Sequence, residues 1–237
     1  ALGFGFKPRS GWLQALVVFA LITPMGPLVY RLVFRPLAHA SVLFLLIVAV
    51  ALHLVMVGLG LYYFGAEGSR TNAIWDASWD LGGVPVSGQS LVVVFTAIVL
   101  LIAMFWFFGR SIIGKALRAT AINRVGARLM GIPTDLSGDV CFALAALIGA
   151  ASGILIAPVT TIYYDTGFLI GLKGFVAAII GGLTGYPGAV AGAVLVGQLE
   201  SFSSFWASAY KEVIVFTLII PVLWWRSFNT RHVEDEE

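Results

Sequence analysis

Leu91-Val-Val-Val-Phe-Thr-Ala-Ile-Val-Leu-Leu-Ile-Ala-Met-Phe-Trp-Phe-Phe108 runs without a single charged residue. A helix rising 1.5 Å per residue needs about 20 apolar residues to cross a hydrocarbon core of about 30 Å. Backbone in lipid must satisfy its own hydrogen bonds, so such a run is either a helix or one strand of a closed barrel. Three consecutive valines followed by a mixed aliphatic and aromatic run carry no in-and-out alternation, which excludes the barrel. The segment reads as a spanning helix.

Working outward, five further apolar stretches have the same character: 12–34, 41–64, 140–158, a long glycine-punctuated stretch 175–206, and 213–225. Hydrophobic residues are 59% of the 237, charged residues only 11%, and mean hydropathy is +0.97, whereas a soluble domain carries roughly 25% charge. The expected fold class is all-α: a polytopic transmembrane bundle forming one domain over 1–237. A net charge of +2 gives no reason to expect nucleic acid as a partner. The single cysteine, Cys141, rules out an internal disulfide and reads as small packing. No cluster of ligating residues suggests a metal, and no cofactor is expected.

Basic residues orient the bundle. Arg110, Lys115, Arg118, Arg124 and Arg128 lie between two spans with no acid among them, which marks 109–138 as cytoplasmic. Counting from there, 65–90 and 158–173 fall outside and 31–40 inside. The C-terminal tail, with Arg226, Arg231 and Glu234 to Glu237, also falls inside. Parity then requires 175–206 to enter the membrane and return. Its turn is read at Gly185, Pro187 and Gly188, and each arm is expected to be a half-helix buried in protein. Gly149 and Gly153, Gly181 and Gly185, and Gly188 and Gly192 stand four apart, with Gly182 beside them, as in helices whose backbones approach closely. Tryptophans and tyrosines at the predicted span ends read as interfacial anchors.

The segment Gly114 to Pro133 places Leu117, Ala121, Val125 and Leu129 at four-residue steps and ends in Gly131 and Pro133. It reads as one short amphipathic helix on the cytoplasmic face, lying on anionic headgroups or against a partner. Gly109 to Lys115 spells G-x-x-x-x-G-K, but Ala116 replaces the Ser or Thr that magnesium needs. A membrane helix rather than a strand precedes it, so it is not a phosphate loop. Polar groups inside the predicted spans are His53, Gln198 and Glu200. They are candidates for the transport pathway or for bonds between helices, and intramembrane ionisable groups face protein or water rather than lipid. Asp139 reads as a helix cap.

Gly114, Ala116, Leu117, Arg118, Ala119, Asn123, Ala127, Gly131 and Ile132 resemble, position by position, the cytoplasmic coupling loop of permeases of the LivH/LivM type, the membrane subunits of branched-chain amino-acid ABC importers. Arg35-Pro36-Leu37, Leu172 to Phe175, Gly181 to Gly185, Gly188, Gly192, Glu200 and Lys211-Glu212 continue the resemblance in order, over about residues 28–226. Complete members begin with further helices carrying an Asn-Phe-Ala-His-Gly-Glu-like motif. No such motif occurs here and residue 1 is Ala, so the chain is expected to be N-terminally incomplete. The resemblance implies a non-catalytic transport subunit in the bacterial inner membrane. Its implied partners are ABC ATPase subunits on the cytoplasmic face, a second permease subunit, a periplasmic substrate-binding protein and membrane lipid. Two alternatives stay open: the same class of permease carrying urea, an amide or a sugar, and a proton-coupled secondary transporter using Glu200 or His53.

Overall fold

The computed structural model describes residues 11–38, 40–82, 84–182, 186–217, 220–222 and 224. It divides into two compact units, with the boundary between Tyr164 and Asp165.

The first unit begins with α1 (Gly11–Val29), which contains Pro24 and Pro27. Pro27 offers no N–H to the preceding turn, and a wide π turn, Tyr30–Phe34, follows, closed by Arg35 N–H donating to the Tyr30 carbonyl at 2.8 Å. Helix α2 (Val42–Phe64) starts where the Ser41 hydroxyl accepts from Phe44 N–H and stops at Gly65, whose φ of 79° is open to glycine. Strands β1 (Ser78–Leu81) and β2 (Val84–Ser87) form an antiparallel hairpin in which Trp79 faces Val86. Strands of four residues are too short to show alternation and leave no periodic signal in the sequence. Helix α3 (Gly88–Arg110) then leads into α4 (Ile112–Ile122), α5 (Arg124–Leu129) and α6 (Thr134–Ile156).

Among the described residues, four helices are long and apolar enough to cross a membrane: Leu13–Phe34, Leu43–Phe64, Gly88–Arg110 and Thr134–Ile156. They overlap the stretches expected at 12–34, 41–64, 91–108 and 140–158, and α6 starts six residues early because Thr134 to Asp139 can be helical while wet. Their apolar side chains point outward, with Leu43 75% and Phe95 69% exposed, as lipid-facing surfaces do.

Helices α1 and α6 meet through small residues. A Cβ at Gly26 would collide with the Phe142 carbonyl, and one at Gly138 would run into the Tyr30 ring. Gly149 and Gly153, read as a packing pair, instead face open space among the described residues. On the side of the unit away from the α3–α4 turn, Ser69 and Ile162 exchange backbone hydrogen bonds of 2.8 and 2.9 Å. The Arg70 guanidinium donates twice to the Pro158 carbonyl. The buried Gln89 accepts from Ile74 N–H and donates to the Leu155 carbonyl.

The second unit is α7 (Thr166–Gly181), α8 (Tyr186–Trp206), a short 3-10 turn (Ser208–Tyr210) and α9 (Lys211–Thr217). Val176, Ala177, Val196 and Val215 make its core, with Ile180 and Phe216 packed against it. Helix α7 begins at 166 rather than 175, because Lys173 is neutralised inside the unit and does not force a loop. Helix α7 has 16 residues and α8 has 21, so α8, about 31 Å long, is no half-helix. The chain leaves α7 at Gly182, whose φ is 99°, and not at Pro187 or Gly188. Both of those lie in the first turn of α8, where proline's missing donor costs nothing. Gly185 lies outside the described residues, as do 218, 219, 223 and 225 of the expected stretch 213–225. Gly181, Gly188 and Gly192 do pack closely: a Cβ on Gly181 or Gly188 would collide with the other's backbone, and one on Gly192 with the Ala177 carbonyl.

Candidate functional site

The segment between α3 and α6 is two helices rather than the single one expected. Ser111 N–H closes α3 on the Phe107 carbonyl, and its hydroxyl accepts from Gly114 N–H at 2.9 Å, capping α4. Gly114 is buried so tightly against Phe107 and Phe108 that any side chain there would strike their backbone. The helix breaks at Asn123, which is extended (φ −146°, ψ 102°) and whose side-chain oxygen accepts from Gly126 N–H at 2.8 Å. A side chain that caps a new helix competes with continuing the old one, which is why the four-residue apolar pattern did not yield one rod. Helix α5 ends in a pair of bonds, Gly131 N–H to the Arg128 carbonyl and Ile132 N–H to the Ala127 carbonyl, with Gly131 at φ 79°. This is the glycine-closed Schellman ending.

Of the apolar stripe at four-residue steps, Ala121, Val125 and Leu129 are exposed and Leu117 is half-buried. Ile122, Val125, Leu129 and Met130 are 87%, 69%, 82% and 83% exposed, with Lys115 and Arg118 exposed alongside. Ala116, Leu117 and Ala119 are half-buried and Ala127 is buried. Polar contacts tie the segment to its unit. The Thr120 and Ser137 hydroxyls lie 3.2 Å apart, Arg128 Nε donates to the Thr134 hydroxyl at 2.9 Å, and Arg124 donates to the Ala38 carbonyl at 3.1 Å. An open cleft of about 450 Å³ lies between α5 and α6, lined by Arg128, Gly131, Ile132, Pro133, Thr134 and Asp135. The G-x-x-x-x-G-K string is spent on a helix end, a cap and a helix start, and it cradles nothing.

Beside this segment lie charges that sequence reasoning missed. Arg31 grips Asp139 with Nε and Nη2 at 2.9 to 3.1 Å, and Arg35 reaches Asp135 at 3.1 Å. Asp139 is therefore an ion-pair partner in the second turn of α6 and not a cap. Arg-x-x-x-Arg and Asp-x-x-x-Asp are both visible in the sequence, but nothing local says that they meet.

In the second unit, Lys173 Nζ lies 2.6 Å from Glu200 and 3.6 Å from Glu212, joining α7, α8 and α9. Gln198, grouped with Glu200 on sequence, is exposed. His53 is half-buried on α2. Among the described residues no group of His, Cys, Asp and Glu could hold a metal ion.

Comparison with known proteins gives this geometry a context. The chain is 29% identical over 228 residues to the high-affinity branched-chain amino acid transport system permease protein LivH of Escherichia coli K12, covering 90% of this chain and 73% of that protein. It is 27% identical over 225 residues to the BraD permease protein of the corresponding system in Pseudomonas aeruginosa, with the same coverage. It is 30% identical over 234 residues to the probable branched-chain amino acid transport permease protein LivH of Methanocaldococcus jannaschii, covering 93% of this chain and 73% of that one. No solved structure matches. The profile of the family described as branched-chain amino acid transport system / permease component matches residues 10–223. Apolar helices of spanning length, a capped two-helix segment between two of them and this match along the chain together identify a multi-pass membrane protein that belongs to that permease family.

Proposed function

We propose that this chain is a non-catalytic membrane subunit of an ATP-driven importer, that it passes branched-chain or related amino acids, and that α4 and α5 are where an ATPase subunit docks. The observation that carries this reading is the two-helix segment itself. It turns Ile122, Val125, Leu129 and Met130 outward while Thr120, Arg124 and Arg128 hold it to α6 and to the turn at Ala38 that follows the first span. An apolar surface rimmed by Lys115 and Arg118 on a firmly attached element suits a protein partner that pushes. The cytoplasmic side follows from its basic residues, and the C-terminus then lies on that side too.

The remaining partners follow from the permease class: a second membrane subunit completing the pathway, and a soluble binding protein delivering substrate at the opposite face. Substrate identity is carried by the LivH and BraD relatives. The proton-coupled alternative loses support, because Glu200 is already paired with Lys173 at 2.6 Å. The test is uptake by the assembled transporter in vesicles loaded with ATP. Labelled leucine should accumulate, ATP depletion should stop it, and a protonophore should not while ATP lasts. Uptake that survives ATP depletion and collapses with the proton gradient would overturn the reading.

A further inference from the structure

The two Arg–Asp pairs form a ladder between antiparallel helix ends. Arg31 and Arg35 are four apart at the end of the first span, Asp135 and Asp139 are four apart at the start of α6, and they pair in reverse order, 31 with 139 and 35 with 135. Between the rungs the Tyr30 ring lies on Gly138 and meets Phe142 at 5.3 Å, with Phe34 at 5.1 Å from Phe142. Both arginines flank or occupy the π turn, where the regular i→i−4 backbone ladder gives way. On its other side, the start of α6 carries the bonds from the two-helix segment: Thr134 receives Arg128 and Ser137 meets Thr120. A displacement of α5 thus reaches α6 through these bonds and the turn at Ala38 through Arg124, and the ladder, with the Tyr30, Phe34 and Phe142 rings, connects α6 to the π turn.

We infer that Arg31, Arg35, Asp135 and Asp139 are positioning residues for transport, whose pairing makes the end of the first span follow the docking segment. This rests on α4 and α5 being the ATPase contact. Arg31 and Arg35 are 62% and 55% exposed and Asp135 49%, while Asp139 is 18% exposed, and pairs whose cation stands in water contribute little to stability. A bidentate Arg–carboxylate fork does fix geometry. The ladder is therefore placed to transmit position rather than to hold the fold together.

The experiment uses the complete transporter in proteoliposomes, comparing Arg31→Asp, Asp139→Arg and the double exchange. Three quantities are read: ATPase retained in the purified complex, ATP hydrolysed, and leucine taken up per ATP. Each single reversal should keep the ATPase bound and lower uptake per ATP by roughly two- to thirtyfold, the range for residues that modulate coupling, and the exchange should restore it. Unchanged uptake per ATP in the single reversals, or no recovery in the exchange, overturns the inference. Should Arg31→Asp reduce the amount of complex, Arg31→Gln decides instead. It should assemble normally with lowered uptake per ATP, and normal uptake per ATP would overturn the inference. Loss of the ATPase from a complex altered only at the exposed Leu129 concerns the docking assignment and leaves the ladder result separately readable.

Discussion

The pairs α1/α6 and α7/α8 both bring two backbones together over glycine, yet they are finished differently. In α7/α8 backbone meets backbone, Gly181 on Gly188 and Gly192 on Ala177. Val176 and Val196 are buried beside them, and Lys173 is enclosed by two carboxylates. In α1/α6 one of the glycines faces an aromatic ring, the adjoining turn is π rather than α, and the arginines at its end are exposed. The first arrangement resists movement because nothing in it can yield. The second can rotate a ring or exchange an ion pair with water at small cost. The lesson is that similar glycine patterns in a membrane sequence can mark a rigid element or an adjustable one, and that the partner of the glycine decides which.

The largest effect should come from Gly188→Leu, which drives a side chain into the Gly181 backbone. Overpacking a close contact costs about 1–3 kcal/mol and more where backbone must shift, so thermal unfolding of the purified complex should show a strongly destabilised protein. Gly138→Ala, facing the Tyr30 ring, should be milder, and equal losses at the two positions would erase the distinction drawn here. Lys173→Met ranks next, because it leaves Glu200 and Glu212 facing each other without their cation. Glu200→Gln keeps a hydrogen-bond acceptor for Lys173 and should retain most uptake. A reversed order in transport assays would return Glu200 to the pathway candidates. Gly131→Val forces a β-branched residue to φ 79°, worth about 1–2 kcal/mol of strain, confined to the end of α5. Uptake should fall more than thermal stability does. Gly149→Ala and Gly153→Ala, which meet open space in the interior of α6, should each raise stability slightly, by about 0.5–1 kcal/mol of helix propensity.

What could be read from the sequence was what local composition determines. Spanning stretches, the basic segment and the glycine-rich pair all announce themselves within a few turns. What escaped depends on partners far along the chain. Lys173 was read as an outer-loop residue because a lone lysine in an apolar run suggests water, and only Glu200 and Glu212 explain why it can sit inside α7. Arg31 and Asp139 are 108 residues apart. Asn123 is a different case: its capping chemistry was visible, but the apolar spacing through it suggested continuity, and the side-chain hydrogen bond prevailed. Pro187 and Gly188 were read as part of the hinge for a related reason, since proline and glycine mark either a break or a helix start, and α7 had already ended at Gly182.

The central claim, that α4 and α5 meet an ATPase in the cytoplasm, is tested most directly by a single cysteine at Leu129. That residue is 82% exposed and, unlike Asn123, holds no cap together. With Cys141 replaced by Ala, Leu129→Cys in the intact transporter should crosslink to the ATPase subunit and resist labelling by an impermeant reagent added outside. Labelling from the outside with no crosslink to the ATPase would contradict the account.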